Sequence, residues 1–407
     1  MDRVILHCDC NSFFASVETV LNPEYKNVPM AVCGSIEDRH GIVLAKNELA
    51  KKYGIKTAET VYSAKKKCKD LVVASPHYKE YVKYSRMVNE IYKDYTDIIE
   101  PFGIDESWLD VTASIKLFGS GKDIAEKIRE RIKNEVGITV SVGVSFNKVF
   151  AKLGSDYKKP DAVTVIDRDN YKSIVYPLPV SDLLFVGKKT ALALDSIGIR
   201  TIGQLADADL QVLSCMFGKN GSLLLDYATG EENSPVVSKR EDAKSISNGF
   251  TFKHDILDFE ECRIGIDYLA EEIGMRLREE GVLASTVAIT LKDDSLRSIQ
   301  RQVPQNPPTD LAREISKTAF SILQSQWKEG KPIRMITLTA TNLSRSVMSS
   351  EQLTMFDEEG IDKTREKNRL RENTVDSIRR KFGNDSIVNG AVIDTDLGLY
   401  NKKNKKG

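Results

Sequence analysis

One order of elements, β-α-β-β-α-β, is legible twice in this 407-residue chain, once towards each end. Towards the N-terminus it begins with the apolar run Val4-Ile5-Leu6-His7-Cys8-Asp9-Cys10. If 11–76 is an insertion, it resumes with an amphipathic helix from Tyr78 to Tyr95, marked by Tyr81, Val88, Ile91 and Tyr92. Two short strands follow around Gly103-Ile104-Asp105-Glu106-Ser107-Trp108-Leu109-Asp110, and then a helix at 122–135 with Ile124, Ile128 and Ile132 on one face. Ile138, Val140, Val142 and Val144 alternate as one face of a strand. A short basic helix (Lys148, Lys152) and a strand at 163–166 close the unit. Period-2 and period-3.6 patterns do not exchange, so this order predicts a ferredoxin-like sheet with packed helices. The second copy spans 246–341: strand 246–252, helix 258–279, strands 285–292 and 296–303, helix 309–327, strand 333–341. In it, Arg297 and Arg301 share one face of a strand.

Between and beyond the copies the patterns differ. Within 11–76, helices are expected at 12–21, 41–53 and 59–68, broken by Gly34, Gly41 and Gly54. Residues 171–230 read as helical, and Leu183 to Thr190 precedes a helix ending at Gly198. Two short helices joined by a glycine-containing hairpin aim backbone N–H groups at a phosphate. Residues 231–245 are polar and charged, a linker pattern. After Ser344 comes a serine-rich stretch, then Glu351 to Asp357, a charged helical segment at about 361–382, and terminal lysines. The fold class is therefore α/β (α+β) and multidomain.

The chemistry gathers on three acids. Asp105 and Glu106 sit in the bend between two strands, and Asp9 ends the first strand. The ferredoxin-like order brings these strands together, and clustered carboxylates repel unless a cation lies between them. Hard divalent ions such as Mg²⁺ take oxygen ligands, and two of them serve an in-line phosphoryl displacement. Lysines and arginines equal aspartates and glutamates at 59 each, so bulk charge gives no case for nucleic acid. Local patches such as Lys65-Lys66-Lys67 and Lys158-Lys159 have to supply it. The six cysteines are scattered, which predicts reduced thiols; Cys8 and Cys10 have no second pair at zinc spacing. No apolar run is long enough for a membrane span, and the first residues lack a signal-peptide pattern, so a cytoplasmic protein is expected.

Taken in order, several stretches resemble the Y-family DNA polymerases, most closely the polymerase IV type. They are Asp9 with Ser12 to Glu18, Ala45 to Gly54, Gly103 to Ser107, Ser141 to Lys148 with Lys152, Lys158-Lys159-Pro160, Val186-Gly187 with Thr190, and Lys244-Ser245-Ile246. The resemblance covers about 1–356. It implies a palm (1–10 and 77–170), fingers (11–76), a helical thumb with a helix-hairpin-helix (171–235), a linker (236–245), a little finger (246–343) and a flexible C-terminal tail (344–407).

The resemblance also implies roles: a DNA-directed DNA polymerase of the translesion type, of low fidelity, without proofreading. Asp9, Asp105 and Glu106 would be the catalytic acids and, with the backbone carbonyl of Cys10, the ligands of two Mg²⁺ ions. Phe13, Phe14, Lys51 and Lys159 would meet the incoming deoxynucleoside triphosphate, Phe14 as the steric gate against ribose. Gly187, Lys188, Ser245, Arg297 and Arg301 would contact primer-template DNA. Gln352, Leu353, Met355 and Phe356 would dock on a sliding clamp, and the enzyme would be a monomer. The chain departs from the family where Ala45, Glu48 and Lys51 replace the usual Thr, Tyr and Arg at the triphosphate; Lys46 or Lys52 are candidate substitutes. Lys51 also keeps open a UmuC-like polymerase V branch, and a non-catalytic DNA- and clamp-binding scaffold is the alternative of another class. If the clamp reading holds, alanine at both Leu353 and Phe356 abolishes clamp-stimulated primer extension and leaves clamp-independent extension intact; equal loss of both would make the segment structural.

Overall fold

The structure is a computed structural model describing residues 2–35, 39, 41–238, 242–345, 359–393 and 395–399. It divides into two compact units, 1–34 with 41–240 and 35–40 with 241–407. The clamp-peptide residues Gln352 to Phe356 lie outside the described residues.

In the first unit, β1 (Ile5–Cys10) is followed by three strands, β2 (Met30–Cys33), β3 (Val43–Lys46) and β4 (Val72–Ala74), which form their own small sheet in the order β3-β2-β4. The chain then supplies β5 (Ile99–Pro101), β6 (Glu106–Asp110), β7 (Val140–Ser145) and β8 (Val163–Ile166). With β1 they form a five-stranded sheet in the order β5-β6-β1-β7-β8. The first four strands have the ferredoxin-like arrangement expected from the sequence. Pleating sends Leu6, Cys8 and Cys10 to one face, where the helices Tyr78–Lys93 and Gly121–Arg131 bury them with Val140, Val142 and Val144. Ile5, His7 and Asp9 point to the other face.

That second face is covered as well. The helix Lys148–Tyr157, which links β7 to the parallel β8, packs across it, so all six residues of β7 are buried. The packing is unusually close at Gly143. A Cβ there would stand 1.9 Å from the Ala151 carbonyl oxygen, and a Cβ on Gly154 would stand 3.0 Å from the Gly143 Cα. Two glycines thus let helix and strand backbones touch.

The expected helix over 41–53 is instead β3 followed by a short helix, Glu48–Lys52. Asn47 divides them: its side chain accepts from the Ala50 N–H and so caps the helix. The Phe13–Leu21 helix, assigned to the insertion, sends Phe13 and Val17 into the core of the five-stranded sheet. Residues 171–229 are helical as expected, with Gly187 as N-cap of Lys188–Asp195 and a further short helix at Ile202–Ala206.

The second unit has the strands β9 (Ser245–Ile256), β10 (Val282–Lys292), β11 (Ser298–Thr309) and β12 (Ile333–Arg345). Its element order repeats that of the first unit but its sheet order does not: here it is β11-β10-β12-β9. The helices Phe259–Glu280 and Ala312–Gln326 bury one face through Ile266, Leu269, Ile273, Ile315 and Leu323. The tail is not flexible throughout. Glu359–Phe382 is a helix, and Val392, Leu397 and Leu399 enter the core of this unit. The reason is a buried charge cluster the composition conceals: Arg278 pairs with Glu372 and Asp376, both at 2.6 Å, with all three side chains at most 10 % exposed.

Replacing Gly143 by alanine forces the helix off the strand. Overpacking of this kind costs about 1–3 kcal/mol, so urea unfolding should show an earlier midpoint with little change in slope; an unchanged midpoint would mean that the contact is slack.

Candidate active site

The register of β1 and β6 places Asp9 directly opposite Glu106, and His7 opposite Trp108. Directly opposed residues share a face, so these four side chains lie under the Lys148–Tyr157 helix. Asp105 stands at the head of β6, where its carbonyl accepts from the Cys10 N–H at 3.0 Å. The Cys10 thiol is buried on the opposite face.

Each acid has a distinct environment. Glu106 accepts from Lys152 at 2.5 Å and faces His7 Nε2 at 3.3 Å. Burial would raise its pKa, but the bonds to His7 and Lys152 outweigh burial and hold it down to about 2. Asp9 is paired with Lys159 at 2.7 Å, and Lys159 also reaches Asp156 at 2.6 Å. Asp105 makes no ion pair among the described residues, and burial together with the charges of Asp9 and Glu106 pushes it up to about 6. His7 is fully buried, with Nδ1 at 2.8 Å from the Ser155 hydroxyl, and burial lowers its pKa.

Among the described residues no three ligating side chains form a ready cation cage. The donors themselves suit hard divalent ions: three carboxylates on adjacent strands, one of them without a cationic partner, the others held by lysines that a metal ion would replace. Gly103 leaves room there, since a Cβ on it would come within 3.3 Å of both Asp105 Oδ1 and Glu106 Cγ.

Asp9 and Asp105 border a cavity of about 280 Å³ shared with Phe13, Phe14, Ala45, Lys46, Lys51, Thr57 and Lys159. Phe13 is buried in the core beneath, whereas Phe14 is half-buried at the cavity. Lys51 is paired at 2.5 Å with Glu48, which also accepts from Ser12 Oγ. Lys46 reaches the cavity and bonds the Thr57 hydroxyl at 2.9 Å; Lys52 does not border it.

The remaining candidates lie elsewhere. Gly187 and Lys188 open their helix, with nothing within 4 Å of a Cβ built on Gly187. In the second unit Ser245 pairs with Thr341 on the sheet face away from the helices, beside Ser247, Thr337 and Thr339. Arg297 precedes β11 in the turn, where its N–H donates to Asp293. Arg301 opposes the buried Ile289 and bonds Gln326, so it lies on the helix side of the edge strand, and the face shared by Arg297 and Arg301 is not present. His7 was missed by sequence reasoning, although its i, i+2 spacing to Asp9 was a usable signal.

Residues 8–156 match the impB/mucB/samB family, and residues 243–355 match the C-terminal domain of that family. The chain belongs to this family, the Y-family DNA polymerases. It is 46% identical over 401 residues to a DNA polymerase IV of Acetivibrio thermocellus, covering 98% of this chain and 99% of the relative. It is 36% identical to a DNA polymerase IV of Clostridium acetobutylicum (97% of this chain and 99% of the relative) and 34% identical to a DNA polymerase IV 1 of Bacillus subtilis (96% and 93%). A solved Y-family DNA polymerase chimera shares the fold at a TM-score of 0.74 and 22% identity, with 84% of this chain and 99% of that one covered. Neither the UmuC-like branch nor the non-catalytic scaffold gains support from these relatives. The family depends on divalent metal in general.

Asp105 titrates near 6, so a proton competes with a divalent cation there. Added Mg²⁺ should therefore raise the melting temperature at pH 7.5 and lose that effect as the pH falls through about 6. A thermal shift equally large at pH 5 would separate cation binding from Asp105.

Proposed function

We propose that this chain is a DNA-directed DNA polymerase of the translesion type, acting on a primer-template with deoxynucleoside triphosphates. The observation that carries the reading is the cavity in which Asp9 and Asp105 meet Phe14 and three lysines, Lys46, Lys51 and Lys159. Carboxylates suit metal ions, lysines suit a polyphosphate, and an aromatic ring suits a sugar. In the reaction the primer 3′-oxygen bonds to the α-phosphorus, the bond to the β-phosphate oxygen breaks, and pyrophosphate leaves.

In this reading Asp9, Asp105, Glu106 and the carbonyl of Cys10 would hold two Mg²⁺ ions. When bound, these supply a lowered pKa at the attacking hydroxyl and charge neutralisation at the leaving group. Lys159 exchanges Asp9 for the triphosphate, and a cation so placed stabilises charge that develops in the transition state. Lys152 and His7 orient Glu106. Phe14 lies against the sugar, while Phe13 supports it from the core. Gly187 with Lys188 and the hydroxyl face around Ser245 contact DNA backbone, as hydroxyls and helix N-termini commonly do. The parts take the palm, fingers, thumb and little-finger roles. The enzyme works as a cytoplasmic monomer without proofreading and docks on a sliding clamp through Gln352 to Phe356.

Asp105→Asn removes one charge from the cation site without changing its shape. Primer extension should fall about 100-fold or more, as when a transition-state-stabilising group is lost, while duplex affinity stays within error. Near-normal extension would remove Asp105 from the chemistry.

A further inference from the structure

Phe14 does not rest on the nucleotide cavity alone. Its ring stacks on Tyr81 with centroids 4.1 Å apart and planes 11° apart. Tyr78, one turn earlier on the same helix as Tyr81, stands edge-on to both rings at 5.9 and 5.7 Å. Behind the stack lies a carboxylate. Glu18 is four residues after Phe14, which puts both on one face of the Phe13–Leu21 helix. The Tyr81 hydroxyl donates to Glu18 Oε1, and His77 Nδ1 lies 2.9 and 3.1 Å from the two carboxylate oxygens.

Glu18 is 2 % exposed and has no Lys or Arg partner among the described residues. A buried carboxylate is costly unless its oxygens are bonded, and an apolar residue would join two helices at lower cost. Burial and the neighbouring Glu18 charge push the Tyr81 phenol up, so it remains a donor. Stacking alone leaves two rings free to slide over each other; fixing the far end of one removes that freedom. A sugar gate needs that stiffness. An apolar pocket rejects an added hydroxyl only weakly, so rejection depends on a ring that does not retreat.

We propose that Glu18 is the positioning residue of the sugar gate: its carboxylate fixes Tyr81, and Tyr81 fixes the Phe14 ring against which the ribose 2′-oxygen is rejected. The assignment rests on the reading of Phe14 as the gate, and the test separates the two. Single-nucleotide incorporation is measured with a deoxynucleotide and the matching ribonucleotide, and kcat/KM is compared for Phe14→Ala, Glu18→Leu, Glu18→Gln and Tyr81→Phe.

Small misplacements of a positioning group cost up to about 100-fold; here Glu18→Leu and Tyr81→Phe should each lower discrimination against ribose about tenfold while deoxynucleotide kcat/KM stays within about threefold. Glu18→Gln, whose amide carbonyl still accepts from Tyr81, should restore most of the discrimination. Tyr81→Phe removes a single oxygen, so it keeps the test decisive if Glu18→Leu fails to fold. If Phe14→Ala relaxes sugar choice while Glu18→Leu and Tyr81→Phe leave it unchanged, the gate stands and the role of Glu18 is overturned. An equal fall for both sugars in Tyr81→Phe overturns it too, as a structural staple. If Phe14→Ala leaves sugar choice intact, the gate and its positioning residue fall together.

Discussion

The acidic site depends on two backbones touching. Gly143 lies opposite His7 in the sheet, and the Lys148–Tyr157 helix passes over that pair at a distance only glycine allows. The helix therefore presents one stripe to the strand ends beneath it. The Lys148 carbonyl takes the Trp108 indole N–H, Lys152 takes Glu106, and Ser155 takes His7. Just beyond the helix end, Lys159 takes Asp9. With a side chain at 143 this stripe would ride higher, and the lysines would miss the acids they now meet.

Those lysine contacts divide the acids by character. Glu106 is held as a carboxylate by neighbours on two sides, whereas at Asp105 repulsion from Asp9 and Glu106 adds to burial, and the more weakly acting Lys159 does not offset them. The site is thus electrostatically unfinished at one acid and provisionally satisfied at two. A pair at about 20 % exposure is neither fully screened nor fully desolvated, and such pairs exchange partners at modest cost compared with deeply buried ones. Arg278 with Glu372 and Asp376 is the opposite case: with all three side chains at most 10 % exposed, it acts as a lock between the C-terminal helix and the body of its unit.

Much of this was legible from residue patterns. Alternation in 138–144 and the three-to-four spacing in 78–95 gave the sheet and its first helix, because burial on one face leaves a periodic trace. Asp9 and Asp105-Glu106 were readable as a group once strand order was known. The rest failed for identifiable reasons. Asn47 caps a helix in the middle of what reads as a continuous one. Alternation puts Arg297 and Arg301 on one strand face, yet the strand begins only at Ser298 and register sets Arg301 beside the helices. Arg278, Glu372 and Asp376 are far apart in sequence, so charge counting treats them as solvated surface. The two sheets share an order of elements and differ in strand order, which periodicity does not encode.

Cys8 and Cys10 flank Asp9 but point away from it into the core, where burial raises both thiols and keeps them protonated. Cys33, Cys68 and Cys262 are buried too, and Cys215 is the one exposed thiol of the six. Oxidants and alkylating reagents act on accessible thiolate. The strand that carries the first acid is therefore shielded from such reagents despite its two sulfurs.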